Sequence, residues 1–237
     1  MENLASSDSL SRIAGNDDAS LFKAKKQGSG FFLDFARANK RAFDVAVATS
    51  ALVFLLPMFL LLVGVLLVVQ GRPIFIRHSR VGRGGTSFPC LKFRSMVTNS
   101  DVVLREYLAS NPSALEEWKE SHKLKNDPRI TPLGHFLRKS SVDELPQLFN
   151  VIRGDMSLVG PRPIVRDEIV RYGAYIEDYL RVRPGLTGLW QVSGRSDTSY
   201  QHRVGLDVRY VREWSLWRDI VIIFKTIPAL LQSKGSY

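Results

Sequence analysis

A chain of 237 residues with 45% hydrophobic content has room for one sizeable domain plus appendages. Its net charge of +10 and pI near 9.9 predict attraction to polyanions, whether nucleic acid, anionic lipid or phosphorylated substrates. The single cysteine, Cys90, excludes an internal disulfide and a cysteine-based zinc cluster and fits a reducing compartment, and four scattered histidines without metal-binding spacing disfavour a zinc enzyme.

Residues 1–36 are rich in Ser, Asp, Lys, Ala and Gly and show little apolar periodicity, the composition of a disordered tail. They carry no apolar core of the kind a signal peptide needs. From Val45 to Val69 the chain runs 25 residues without a charge, long enough for a membrane helix. Basic residues flank this stretch on both sides. Arg37, Lys40 and Arg41 precede it; Arg72, Arg77, Arg80 and Arg83 follow, with no acid between Arg72 and Arg94. Both ends therefore favour the cytoplasmic side, which a single straight span does not allow. Pro57, at the midpoint, removes the hydrogen bond to the Val53 carbonyl and bends the helix. Each half rises roughly 18 Å, about half a bilayer. These features predict a re-entrant helix-break-helix hairpin over residues 37–71, with Ser50 placed to help satisfy the groups freed at the kink. An ordinary proline-kinked span is the alternative.

Residues 72–237 then read as a cytoplasmic domain that stays associated with the membrane. Two short apolar pieces flank Gly82-Arg-Gly-Gly85, predicting a β-hairpin. The turn lacks the Lys-Ser/Thr of a P-loop and the spacing of a dinucleotide fingerprint. Lys92 and Arg94 alternate with Leu91 and Phe93 and so share one strand face, either as a functional pair or as solvated charge. Residues 101–124 read as a helix broken near Asn111-Pro112, Asn126 to Thr131 as a turn, and residues 164–180 as a helix anchored by Tyr172, Tyr175 and Tyr179. A glycine-rich loop runs from Arg183 to Arg195. Trp214 to Leu231 spaces its apolar residues by three and four, an amphipathic helix suited equally to a membrane interface or a core, with Pro228 kinking or ending it. The fold class expected is α+β, mostly helical, with the hairpin in the membrane, a short β-hairpin and interfacial amphipathic helices.

The densest chemistry lies between Ser140 and Pro163. Adjacent acids Asp143 and Glu144 sit among Arg138, Lys139, Arg153 and Arg162. Such a dyad suits a phosphate ester with a divalent metal: the acids supply oxygen ligands and a nucleophile or base, and the arginines hold the anion. A purely structural alternative is a capping box, with Ser141 as N-cap and Glu144 three residues on. Two tight loops, Gly154-Asp155 and Gly160-Pro-Arg-Pro163, lie close by, and prolines on both sides of Arg162 restrict its backbone for a fixed bidentate contact.

Taken in order, Lys40-Arg-Ala-Phe-Asp44, Pro57, Lys92-Phe-Arg-Ser-Met96, Asp143-Glu-Leu-Pro-Gln147, Gly154-Asp-Met-Ser157, Gly160-Pro-Arg-Pro163, Arg183-Pro-Gly-Leu-Thr-Gly188 and Gln191-Val-Ser-Gly-Arg195 resemble the bacterial sugar transferase family, the monotopic polyprenyl-phosphate phosphoglycosyl transferases. The likeness spans about Lys40 to Tyr237. The carboxy-terminal Lys225-Thr-Ile-Pro228 and Ser-Lys-Gly-Ser-Tyr237 are similar to the exopolysaccharide, ExoY-type branch, whose members use UDP-galactose. With one apolar segment, the chain resembles the family's minimal catalytic form. The resemblance implies the re-entrant hairpin, a place at the bacterial inner membrane with the catalytic domain facing the cytoplasm, and a covalent mechanism. Asp143 would attack the sugar-bearing phosphorus of a UDP-sugar and expel UMP, and undecaprenyl phosphate would then capture the phosphosugar. Glu144, with Asp143, would bind Mg2+, and Arg138 and Arg162 would hold phosphate oxygens. Lys92, Arg94 and Arg195 fall in matching blocks as further substrate contacts, and Asp155 and Asp207 as additional site residues. Membrane lipid is an implied partner, and a homodimer is left open.

Three other readings compete. An ordinary glycosyl transferase would use the same donor and release UDP. A membrane-tethered nucleic-acid binder is disfavoured, because the basic residues are interleaved with turns and an acidic dyad and are not arrayed along one helix. A catalytically silent scaffold would not need Asp143. No motif distinguishes galactose from glucose, which differ at one hydroxyl.

Overall fold

A computed structural model describes residues 38–121, 124–194 and 199–231. The expected tail, residues 1–36, and Arg195 lie outside them. The chain divides into two compact units, Met1–Phe43 and Asp44–Tyr237. Of the first, the described residues are helical.

Helix α1 (Ala38–Phe54) and helix α2 (Leu56–Gln70) meet at a 62° bend. Pro57 supplies no N–H to the first turn of α2, so the ladder stops at Leu55 N–H to the Ala51 carbonyl and restarts at Phe59 N–H to the Leu55 carbonyl. Among the described residues no single helix is long and apolar enough to cross a membrane; the bent pair together has the length and composition. Helix α2 is apolar all round, and Leu61 and Val68 are exposed while only Phe59 and Leu66 are buried. Ser50 lies exposed on α1.

Strands β1 (Phe75–Val81) and β2 (Ser87–Phe93) form the expected antiparallel hairpin, pairing Phe75 with Phe93 and Val81 with Ser87. Gly84 and Gly85 take positive φ in the turn, which a Cβ would oppose. Helices α3 (Ser100–Ser110) and α4 (Pro112–Ser121) break at Asn111-Pro112 as expected. Helix α5 (Pro132–Lys139) is capped by Thr131, whose hydroxyl accepts from Gly134 N–H at 2.9 Å, and Leu137 packs with Phe59, Leu66 and Phe93. Helix α6 (Gln147–Arg153) follows.

Strand β3 (Ser157–Val159) runs parallel to β4 (Gly185–Thr187), a pairing the sequence reading leaves as two loops. The glycines explain it. A Cβ at Gly160 would lie 2.6 Å from the Arg183 carbonyl, and one at Gly185 would meet the Gly160 backbone. Asp44, buried on α1, accepts from Ser157 Oγ at 2.7 Å and Leu158 N–H at 3.3 Å, tying the base of the bent pair to β3.

The single helix expected over 164–180 is instead a run of short turns, with α7 (Ile169–Tyr172) and α8 (Ile176–Leu180) broken at Gly173, whose φ is 51°. Tyr172 and Tyr179 are buried as anchors, whereas Tyr175 is half exposed. Helix α9 (Tyr200–Arg212), capped by Ser199, buries Val204 and Val208 against them. Helix α10 (Leu216–Leu231) buries Ile222 and exposes Trp217, Phe224 and Ile227, with Pro228 inside it. The architecture is α+β, mostly helical.

Candidate active site

The carboxylate dyad does not open a helix. Ser141 has φ 57° in the left-handed region, and Val142–Glu144 form a 3-10 turn two residues ahead of α6. The capping box is absent: Ser141 makes no side-chain cap bond, and Ser140 Oγ donates back to the Phe136 carbonyl at 2.8 Å. A serine at positive φ costs about 1–2 kcal/mol, so this turn is held by its surroundings and not chosen locally.

What the turn achieves is placement. Asp143 is buried, while the Glu144 side chain keeps 33% exposure. Lys92, on β2, donates to Glu144 Oε1 at 2.6 Å and lies 3.7 Å from Asp143 Oδ2. The two acids are pushed apart. Burial raises the Asp143 carboxyl above the ordinary range, outweighing the opposing Lys92 and Arg138. Burial also acts to raise Glu144, but Lys92 and Arg162 overcome it and hold that carboxyl low. The mutual repulsion expected of adjacent acids therefore falls on Asp143.

A cleft of about 700 Å³ surrounds the dyad. Arg138, whose Nε donates to Ser95 Oγ at 2.9 Å, and Arg162, whose guanidinium lies over the Trp190 ring, line it together with Lys92, Asp143 and Glu144. Five of the expected site residues thus converge. His78 and Arg80 of β1, and Arg129 from the turn before α5, also line it. Strand alternation from Lys92 across the β1–β2 register points to the first two; nothing in the local sequence points to Arg129. Desolvation and nearby Arg80, Lys92 and Arg138 hold the His78 imidazole below its usual value. The opposite wall is apolar, with Val47, Ala51 and Leu55 at the bent pair and Ile223 and Ile227 on α10.

Three expected site residues lie elsewhere. Arg94 turns away at the end of β2 and donates to the Gln70 and Gly71 carbonyls, capping α2. Asp155 accepts from Asn150 Nδ2 at 3.0 Å, and Asn150 in turn pins β2 through Leu91 N–H and the Pro89 carbonyl. Asp207 is buried on α9, accepting from Tyr172 at 2.7 Å beside Arg203, which stacks over Trp190. Arg94, Asp155 and Asp207 support the fold around the cleft and do not line it. Arg94 N–H still pairs with the Ile74 carbonyl, but its guanidinium is taken by the carbonyls at the end of α2 and so does not share the Lys92 site.

No group of three or more His, Cys, Asp or Glu suited to a metal occurs among the described residues. The dyad offers two carboxylates in one cleft with basic groups. That donor set suits Mg2+, which takes one or two carboxylates plus substrate phosphates and water in place of an all-protein cage.

A buried carboxylate beside a charged one, ringed by cations and set between a hairpin and an apolar bent helix pair, suits group transfer on a phosphorylated substrate. Residues 35–233 match the family described as bacterial sugar transferase, and the chain belongs to that family. It is 54% identical over 211 residues to exopolysaccharide production protein ExoY of Sinorhizobium fredii, covering 89% of this chain and 93% of the relative. It is 53% identical to the undecaprenyl-phosphate galactose phosphotransferase of Salmonella typhimurium, over 85% of this chain but 42% of that longer protein. The UDP-glucose:undecaprenyl-phosphate glucose-1-phosphate transferase of Escherichia coli is 36% identical over 85% of this chain and 42% of its own length.

Proposed function

We propose that the protein transfers a hexose-1-phosphate from a UDP-hexose to undecaprenyl phosphate, releasing UMP, as a membrane step of exopolysaccharide synthesis. Galactose is the favoured sugar, because the relative named for galactose is 53% identical and that named for glucose 36%. The same reaction with UDP-glucose is the alternative. The observation that carries the reading is the buried Asp143 in a cleft that is cationic around the dyad and apolar opposite it.

In the first step the Asp143 carboxylate attacks the sugar-bearing phosphorus, forming a phosphorus–oxygen bond as the bond to UMP breaks. In the second, a phosphate oxygen of undecaprenyl phosphate attacks the same phosphorus and restores the carboxylate. Splitting the reaction lets a soluble donor and a lipid acceptor use one site in turn. Lys92, Arg80 and Arg162 lie on the Glu144 side to hold the donor's phosphates, and Arg138 flanks Asp143. Glu144 and Asp143 would hold Mg2+ with the donor diphosphate, supplying neutralisation of charge on the leaving nucleotide.

The same features support a place at the membrane surface. The bent pair enters and leaves one leaflet of the cytoplasmic membrane, with basic residues at both ends on the cytoplasmic side. Helix α10 lies at the interface with Trp217, Phe224 and Ile227 toward lipid. The test is the nucleotide released when detergent-solubilised protein receives UDP-galactose, Mg2+ and undecaprenyl phosphate. UMP, absent with Asp143→Asn, is expected; UDP would point to an ordinary glycosyl transferase.

A further inference from the structure

The cations around the dyad fall into two groups. Arg80, Lys92 and Arg162 share a narrow recess with Glu144. Arg138 lies on the Asp143 side, and Arg129 lines the same cleft with it. Arg129 is held in place from several directions. Its Nε and Nη2 donate to the two oxygens of Asp127 at 2.8 and 2.6 Å, and it lies 5.0 Å over the Trp118 ring. Its carbonyl accepts from Val97 N–H at 2.9 Å, fixing the segment to the chain leaving β2. The fork bonded along one edge leaves Nη1 for another acceptor. Asp127 offsets part of the charge of both arginines, so what they offer a further anion is the edge of Arg129 that Asp127 leaves, beside Arg138.

The Arg138 side of the dyad is joined to the far end of the bent helix pair, helix α2, while α1 borders the cleft opposite. Gln70, at the end of α2, donates to Thr131 Oγ1 at 3.0 Å, two residues beyond Arg129, and Leu137 of α5 packs on Phe59 and Leu66. The Arg138 side therefore adjoins the apolar α2, while Arg80, Lys92 and Arg162 gather at Glu144. We propose that Arg129, with Arg138, forms a second anion subsite that receives the phosphate of the acceptor lipid. The assignment rests on the phosphosugar-transfer reading above.

Initial rates of UMP release by the full chain in detergent micelles, with UDP-galactose and undecaprenyl phosphate varied in turn, test it. Arg129→Gln is expected to raise the apparent KM for the lipid roughly tenfold or more, the scale of a lost charge-assisted contact, with the KM for UDP-galactose within about twofold. Arg129→Lys is expected to recover part of the loss, keeping charge without the fork. A parallel rise in both KM values, or a fall in kcat alone, would overturn the subsite. So would an Arg129→Lys enzyme with an unchanged lipid KM where Arg129→Gln does not fold. Wild-type protein that releases no UMP would instead defeat the underlying reading, and the subsite with it.

Discussion

Lys92 donates to Glu144 across 2.6 Å while standing 3.7 Å from Asp143, so a single ammonium acts unequally on two adjacent carboxylates. The closer acid is held low, and the buried one is raised. Two like residues are thereby set differently, which suits the proposed division of tasks, Glu144 as a charged ligand and Asp143 as the more basic nucleophile once ionised. Replacing Lys92 by Met removes the ammonium that touches both acids. UMP release should fall roughly 10- to 100-fold, the scale of a charge-assisted hydrogen bond, with an unchanged far-ultraviolet spectrum. A rate within about twofold of wild type would remove Lys92 from the machinery.

How much of this is legible from residues alone depends on how local each cause is. The kink is legible because a proline acts on its own helix, and the β1–β2 hairpin because its turn glycines lie between its strands. The β3–β4 pair is not, since three-residue strands carry no periodicity and the glycines Gly160 and Gly185 answer to each other across 24 residues of intervening chain. Helix α9 escapes notice because its inward face mixes Val204 and Val208 with buried Arg203 and Asp207. The Asp143 and Glu144 positions are legible by type, but their capping alternative is settled only by the Ser141 backbone. Arg129 is invisible because its place in the cleft comes from tertiary pairing of residues 95–97 with 129–131.

The glycine contacts give a paired test of stability. At Gly185 a methyl would meet the Gly160 backbone, so Gly185→Ala should destabilise by more than about 2 kcal/mol. Gly205 lies exposed in α9 with open space around it, so Gly205→Ala should stabilise by about 0.5–1 kcal/mol. Thermal midpoints of both variants check this, and equal effects would contradict the packing described.

Asp207 sets a pH dependence. Burial lifts its carboxyl to about 6, against the bonds from Tyr172 and the charge of Arg203. The folded state therefore binds the proton more tightly than the unfolded chain between about pH 4 and 6. The stabilising contribution of this group is full below the unfolded value and is lost as pH rises through about 6. Asp207→Asn lacks that slope, so its midpoint should improve relative to wild type from pH 4.5 to 7, by an amount on the order of 2 kcal/mol, whatever its constant offset. A difference that does not change with pH would contradict the assignment.

The proposed re-entrant topology turns on Pro57. In whole cells of a Cys90→Ser background, Ser20→Cys and Ser233→Cys should both resist an impermeant thiol reagent. Adding Pro57→Ala restores the missing N–H, and a straight run of 25 uncharged residues at 1.5 Å per residue is about 37 Å, enough to span. One terminus should then become labelled in part of the population. Labelling of either terminus from outside with Pro57 in place would contradict the re-entrant arrangement.

The central claim is that Asp143 carries the phosphosugar between donor and acceptor. Intact-mass measurement of the full chain after incubation with UDP-galactose and Mg2+, without lipid acceptor, tests it most directly. The account requires one hexose phosphate per chain, placed at Asp143 by fragmentation, lost on adding undecaprenyl phosphate and absent from Asp143→Asn. Unmodified protein that nevertheless turns over with both substrates, or an adduct that survives in Asp143→Asn, would contradict it.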